Sequence, residues 1–387
     1  MGAPEAGRSA VTEHPRIVAL VQRAVAAARE AGPSLDHDSA RIPVAAYTDP
    51  ARLLLERALF RRTPMPLAHA SELEDHRVLV RELDGVSLVV ARGPDGLARA
   101  FRNACRHRGV RLLREDGAAK AFVCPYHGWT YDKAGTLLHV PHACAFEPNL
   151  GRNLVPVMTE ERHGIVWCTL APRASAGVVE DHLREIDDEL ASLRLERCFV
   201  ANRAAREHRG NWKMLVEGFL DGYHIRTLHR DTVYRFFHDA RSAAEPAGMH
   251  VRSASARRAK PDATALRELA TFNFNIFPST TLIAHPDWTS LVTVQPIATD
   301  RFHWTHLQLV ADEAANRTEK ARAHFDRSFA LIDGEVFEKE DLGMCAEAQA
   351  GLETNANAEL VFGRLESPAV WFHRALDLSL AAAPERE

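Results

Sequence analysis

The 387-residue chain reads as an α+β protein, with a small antiparallel β domain followed by a larger domain of helices and an antiparallel sheet. Three observations predict this. Short β-forming runs between residues 78 and 138 are separated by Gly-rich turn signals. Helical periodicity returns after Gly177. Runs rich in Thr, Ile, Val and Phe then fill 272–310, ahead of a long helical stretch over about 318–352. The expected division is a tail and helix over 1–41, the β domain over 42–160 and the mixed domain over 161–387.

Each element has a local reason. Pro15 suits a first helical position. Ile17, Leu20, Val21, Ala24, Val25 and Ala28 then form one apolar face, and Gly32-Pro33 stops the helix. Asp49-Pro50, a cap followed by proline, opens a second helix. Val78–Glu82, Ser87–Arg92 and Leu97–Asn103 read as strands joined at Asp84-Gly85 and at Gly93-Pro94-Asp95-Gly96. Ala121–Val123, Trp129–Tyr131 and Thr136–Leu138 follow, the last two joined by a turn at Lys133-Ala134-Gly135. Val179–Leu195 reads as one amphipathic helix, Phe199–Arg203 as a strand, and a further helix starts near Asn211.

Composition excludes several classes. Hydrophobic residues make up 46% and charged residues 26%, as in ordinary globular proteins. A net charge of −4 gives no basic balance for nucleic acid. No run of 18 apolar residues is present, so no membrane span is expected. Met1–Val11 lacks a charged segment followed by an apolar one, and Ala6 argues against myristoylation at Gly2. The expected location is the cytoplasm. Six cysteines in a reducing compartment suggest metal binding or catalysis more than disulfides.

Two motifs carry chemistry. The first is Cys105-x-His107, then 16 residues, then Cys124-x-x-His127. Thiolate and imidazole are ligands for zinc or for iron–sulfur clusters. A structural zinc site spaces its cysteines two to four residues apart. Here each turn carries one Cys and one His, which suits a two-iron cluster with Cys₂ on one iron and His₂ on the other. Zinc is the alternative. Gly109 and Gly128 permit tight turns. The second motif runs from Asn211-Trp212-Lys213 to Asp221-Gly222-Tyr223-His224 and on to His229. In an ideal helix Asp221 and His224 share a face, but His224 and His229 lie about 140° apart. They meet on one metal only if the helix ends or widens between them, and a π-type turn is the expected irregularity. A polar helix with solvated histidines is the bland alternative.

The stretches Cys-Arg-His-Arg-Gly and Cys-Pro-Tyr-His-Gly-Trp-Thr-Tyr-Asp resemble the Rieske [2Fe–2S] motif of ring-hydroxylating oxygenase α subunits. The resemblance runs from about Ile42 to Leu352. It implies that Cys105 and Cys124 bind one iron of the cluster, and His107 and His127 the other. It implies a Rieske β domain before a helix-grip domain, an antiparallel sheet curved around a long helix. Asn-Trp-Lys with Asp-x-Tyr-His-x₄-His resembles the mononuclear non-haem Fe(II) site of the same family, with His224 and His229 as ligands.

A facial triad needs one more carboxylate. In an α-helix Phe337, Asp341, Met344, Cys345 and Ala348 share a face, so Asp341 sits in an apolar stripe where a metal would satisfy it. Glu340 falls with Gly343 and Glu347 on a face that looks solvated. The family's Glu-Asp, with Gln eight residues beyond the Asp, also matches Asp341 and Gln349. Asp341 is therefore the expected third ligand, and Glu340 the alternative; pairing of Asp341 with a buried Arg is the structural reading.

The resemblance further implies O₂ as co-substrate and a ring-shaped homotrimer in which the cluster of one subunit serves its neighbour's iron. It implies a catalytic bridging role for Asp221, linking His224 to His127 of the adjacent chain. No nucleotide-binding glycine loop is present. A separate NAD(P)H-oxidising reductase, acting directly or through a ferredoxin, is the expected partner.

The expected activity is hydroxylation or oxidative demethylation of a small organic substrate, aromatic in the main reading and a quaternary amine in the alternative. An electron carrier or a zinc-stabilised binding module are the non-oxygenase alternatives. Phe219, Phe236, Phe237, Phe272, Phe274 and Phe277 read as core, with an aromatic pocket as the alternative. Cys144, Cys168, Cys198 and Cys345 read as buried thiols, and His139 and His142 as surface or packing residues. Arg102, Arg106, Arg108, Arg111 and Arg114 read as a solvated face, or as a docking patch for an acidic donor.

Overall fold

The computed structural model describes residues 14–74, 76–172 and 174–382; the expectations for Met1–Val11 lie outside these residues. The first domain is a seven-stranded antiparallel sheet in the order Met65–His69, Ile165–Thr169, Pro156–Arg162, Ala98–Arg102, Val86–Arg92, Arg77–Leu83, Gly117–Ala118. Its tightest hairpin closes at Leu83↔Val86. Asp84 and Gly85 both adopt positive φ, 46° and 75°, as a two-residue turn between right-twisted strands requires. A three-stranded sheet of Phe122–Val123, Thr130–Tyr131 and Leu137–His139 lies beside it. The expected boundary at 160/161 falls inside strand Pro156–Arg162, whose hairpin partner Ile165–Thr169 belongs to the same sheet.

The second domain holds another seven-stranded antiparallel sheet. Its order is Cys198–Arg209, Arg301–Ala311, Thr289–Ala298, Thr280–Ala284, Ala270–Ile276, His250–Arg257, Phe237–Ala247. The long C-terminal helical segment, Glu319 to Glu353, packs along the Cys198–Arg209 edge. The expected single helix over 179–195 is two short ones, Val178–Leu183 and Asp187–Ser192. Asp187 is held by Arg162 and His163, and the Asp187-Asp188-Glu189 run suits the first turn of a new helix.

The helix Trp212–Leu220 connects the two domains. Asn211 caps it, accepting from the Lys213 N–H at 3.1 Å and donating to the Tyr47 and Thr299 carbonyls at 2.7 and 2.8 Å. Lys213 and Glu56, each 1% exposed, pair at 2.8 Å, and Trp212 Nε1 donates to the same carboxylate at 2.8 Å. Removing one partner of such a pair costs about 3–5 kcal/mol, because a buried charge is left alone. Trp212, Leu215, Val216 and Leu220 share one core with Leu79, Leu88 and Val90 of the first sheet and Val292, Val294 and Trp304 of the second. The Asn-Trp-Lys motif therefore fixes the helix that leads into the histidine motif.

Cys168 and Cys345 are buried as expected and Cys198 is half-buried, but Cys144 is exposed on a short 3₁₀ turn. His139 and His142 are exposed.

Candidate metal centres and cavity

The two Cys-His turns are built alike. Cys105 N–H donates to the Val110 carbonyl at 2.8 Å, and Gly109 N–H donates back to the Cys105 carbonyl at 2.9 Å. Cys124 N–H donates to Trp129 O at 2.8 Å, and Gly128 N–H to Cys124 O at 3.0 Å. Gly109 and Gly128 sit at φ 79° and 70°, where a side chain would be strained, so both turns depend on glycine. The turns bring the His107 and His127 rings to 4.8 Å between centroids, and His107 stacks on the buried Trp129 at 4.9 Å.

Both thiols are buried and unpaired, and His107 Nδ1 is buried with no hydrogen-bond partner. An orphaned imidazole nitrogen beside two free thiols and a second imidazole fits a group that takes S and N ligands. Tyr131, which the spacing argument had not singled out, accepts from the Arg106 N–H at 3.0 Å and reaches Cys105 Sγ at 3.5 Å. Its only sequence signal is its place in the Thr-Tyr-Asp that ends the motif. His127 and Tyr126 are exposed, so this edge of the turns faces outward.

The second site forms where the Trp212–Leu220 helix ends. Asp221 is extended, at φ −107° and ψ 118°, and is not helical as expected. His224 opens a one-turn helix, Ile225–Leu228, and His229 closes it at ψ 24°. No π-type turn lies between the histidines; the helix simply ends at His229, and that lets the rings meet. The widened backbone lies elsewhere: Ala330–Asp341 is π-helical and delivers Asp341 as its last residue. The α-helical face proposed for Asp341 therefore does not exist. Met344 is 48% exposed and Ala348 is exposed, while Leu342, Cys345, Gln349 and Leu352 are buried.

Three side chains nevertheless converge. His224 Nε2 lies 3.1 Å from His229 Nε2, and Asp341 Oδ1 lies 3.7 and 3.3 Å from them. All three offered atoms fall within 4.8 Å of one another. Two nitrogens each about 2.1 Å from one ion, at a right angle, sit about 3 Å apart. The spacing thus fits a shared metal. Asp221 Oδ2 lies 3.3 Å from His224 Nδ1, and Glu340 Oε2 lies 2.7 Å from His229 Nδ1 and 2.8 Å from Thr232 Oγ1.

Glu340 is therefore engaged behind His229 and is not solvated. Both carboxylates fix the tautomer, so each ring presents Nε2 as the free ligand atom. Burial alone would lower the pKa of His229, but its bonds to Asp341 and Glu340 hold it above the ordinary range. A metal bound there would displace that proton.

The three residues line a cavity of about 290 Å³. Phe219, Val336 and Phe337 contribute apolar lining, as do Phe236 and Phe237. Phe272, Phe274 and Phe277 lie in the core outside it. A polar floor is made by Ser242, Ser253, Ser255, Thr271 and Asn273, side by side on neighbouring strands. Arg257 also lines the cavity, and nothing in the sequence marked it.

A paired Cys/His turn motif on a β domain, followed by a two-histidine, one-carboxylate cluster on an α+β sheet domain, defines the class of two-centre iron oxygenase subunits. Residues 63–154 match the family described as Rieske [2Fe-2S] domain. Residues 195–382 match the family described as ring hydroxylating alpha subunit, catalytic domain. The chain belongs to the family of Rieske oxygenase α subunits, with a Rieske [2Fe–2S] cluster and a mononuclear non-haem iron as its cofactors.

Among its relatives is the carnitine monooxygenase oxygenase subunit of Escherichia coli K12, 35% identical over 201 residues, covering 49% of this chain and 52% of that protein. The glycine betaine monooxygenase oxygenase subunit of Chromohalobacter salexigens is 31% identical over 215 residues, covering 53% and 47%. The matched stretch thus spans about half the length of these relatives.

Among solved structures, naphthalene 1,2-dioxygenase from Rhodococcus superposes with a TM-score of 0.76 at 20% identity, covering 96% of this chain and all of that one. A quaternary ammonium Rieske monooxygenase gives 0.75 at 21%, covering 95% and 99%. Both have the same fold. Among the described residues no helix is long and apolar enough to cross a membrane.

Proposed function

We propose that this chain is the terminal oxygenase component of a multicomponent Rieske system acting on a small organic substrate. The observation that carries this is the convergence of His224, His229 and Asp341 on the wall of a cavity. In this reading Cys105 and Cys124 hold one iron of the cluster, His107 and His127 the other, and His224, His229 and Asp341 hold Fe(II). Bound there, the cluster would supply electrons singly and the iron, with positions left open by three protein ligands, would activate O₂.

The chain's own residues have distinct tasks. Asp221 and Glu340 keep protons on the Nδ1 atoms of His224 and His229, so each ring coordinates through Nε2. Phe219, Val336 and Phe337 keep water from the reacting end of the cavity. Exposed His127 and Tyr126 on one side, and exposed Tyr223 beside Asp221 on the other, support electron transfer between subunits of a homotrimer through Asp221. Arg102, Arg108, Arg111 and Arg114 are exposed around the first Rieske turn and support docking of an acidic reductase or ferredoxin in the cytoplasm.

The named activities of the relatives favour a quaternary amine over an aromatic hydrocarbon as substrate. The test is an EPR spectrum of anaerobically purified, dithionite-reduced protein, with iron and zinc counted on the same sample. A rhombic signal of low average g with about three irons per chain is expected. A silent spectrum with stoichiometric zinc, and no iron after attempted reconstitution, would overturn the reading.

A further inference from the structure

Strand His250–Arg257 explains the polar floor of the cavity. Side chains two apart on a strand share a face, and Ser253, Ser255 and Arg257 all line the cavity. The neighbouring strands continue the stripe. Ser255 pairs with Ser242 on one side and Thr271 on the other, and Ser253 pairs with Asn273. The stripe begins at the histidine loop: a Cβ on Gly222 would lie 3.7 Å from Ser255 Oγ and 3.9 Å from Ser242 Oγ. Arg257 is one strand repeat beyond Ser255, roughly 7 Å along the chain.

Arg257 is the one Lys or Arg among the described residues that line the cavity, and no carboxylate pairs with it there. Its guanidinium donates to Thr271 Oγ1 at 3.1 Å and lies 5.6 and 5.3 Å from the ring centres of Phe236 and Phe237. Asp287, the acid that acts on it electrostatically, is engaged by His324 at 2.6 Å. Asn273 Oδ1, on the same floor, is buried with no partner. Asp287 also lines the cavity but makes no ion pair with Arg257, and a guanidinium left unpaired there costs free energy that a bound carboxylate would offset, because the planar fork matches a carboxylate in two parallel hydrogen bonds. The Phe236 and Phe237 rings thus already lie beside this cation.

We propose that Arg257, with Thr271 and Asn273, forms an anion subsite that fixes a carboxylate-bearing substrate with its opposite end toward His224, His229 and Asp341. This names the substrate class of the oxygenase reading and rests on it. The reacting carbon then sits a short carbon chain away from the carboxylate, and the Phe219–Phe337 wall covers the intervening body.

Anaerobic calorimetric titration of the holoenzyme without reductant tests this with no turnover. The probes are glycine betaine and carnitine, each against its methyl ester, and benzoate and phenylacetate, each against its amide. At least one acid binds, and its neutral-headed counterpart binds about 30-fold more weakly or worse. Arg257→Gln removes that preference, and Arg257→Lys restores part of it. If Arg257→Gln fails to fold, Thr271→Val keeps the charge but frees the guanidinium, and acid binding drops by about 2- to 13-fold.

The subsite is overturned if no acid binds, if acid and neutral counterpart bind alike, or if Arg257→Gln keeps the preference. Iron and cluster content are counted on the same samples. Metals present without an acid preference sink the subsite alone; an acid preference without iron sinks the oxygenase reading alone.

Discussion

Glu340 Oε2 accepts a hydrogen bond from His229 Nδ1 at 2.7 Å, and that bond turns the ring so that Nε2 faces Asp341 Oδ1 at 3.3 Å. Adjacent residues on one helix thus do different work. Glu340 orients an imidazole, and Asp341 offers an oxygen at the point where both imidazoles meet.

This division separates two variants. Asp341→Ala loses the mononuclear iron, and iron falls from about three to about two per chain while the cluster absorbance stays. Glu340→Gln keeps the iron but weakens its binding by about 10- to 100-fold. Metal analysis after graded chelator treatment distinguishes them. Loss of iron in both variants alike would make Glu340 a ligand.

Asp221 touches His224 at 3.3 Å and no other histidine of the two candidate sites in its own chain. Asp221→Asn or Asp221→Ala keeps both metals and abolishes coupled turnover, measured as product formed per reduced cofactor consumed. Normal turnover would sink the bridging role.

Tyr131 reaches Cys105 Sγ at 3.5 Å. Burial and the Cys105 thiol both push its hydroxyl well above the usual tyrosine range, so it keeps its proton and can donate. A donor to a cluster sulfur favours the reduced, more negative state, so it raises the reduction potential. Tyr131→Phe therefore assembles the cluster but lowers its midpoint potential in a spectroscopic redox titration. An unchanged potential would assign Tyr131 to packing alone.

Acid should destabilise the second domain before most carboxylates titrate. Burial pushes His250 from 6.5 down to about 4 and His182 down to about 3, and the two are linked by a 2.8 Å bond from His250 Nε2 to the His182 carbonyl. A histidine depressed in the folded state binds its proton more readily when unfolded. Its contribution is complete above pH 6.5 and is lost as pH falls toward 4. The melting temperature drops across that window, and His250→Gln, though less stable at neutral pH, has a shallower slope there. An equal slope in both proteins would contradict this.

The first site was legible because its chemistry is local. Cys105 with His107, and Cys124 with His127, sit in short turns closed by their own backbone bonds to Gly109 and Gly128, so spacing alone places each pair. The second site was legible in its residues but not in its backbone. The helical wheel used for Asp341 assumed 3.6 residues per turn, and the π-helical Ala330–Asp341 does not obey it. The same wheel set Glu340 in solvent, where the structure has it behind His229. The strands Phe237–Ala247 and His250–Arg257 were missed because their inward residues are Ser, Ala and Arg. One face, with Ser253, Ser255 and Arg257, lines a cavity, and the face packed in the core carries only small residues such as Ala254 and Ala256, so the strong apolar alternation that marks a strand is absent.

By itself, then, the sequence determined the two-centre plan and the α+β class, because turns, caps and Cys-His spacing act over a few residues. Only the tertiary structure decided that Asp341 meets His224 and His229, that Glu340 backs the His229 ring across 111 residues of chain, and that Arg257 enters the cavity. The physical reason is that these contacts join segments far apart in the chain, and their geometry is set by sheet register and by a widened helix that no local spacing reveals.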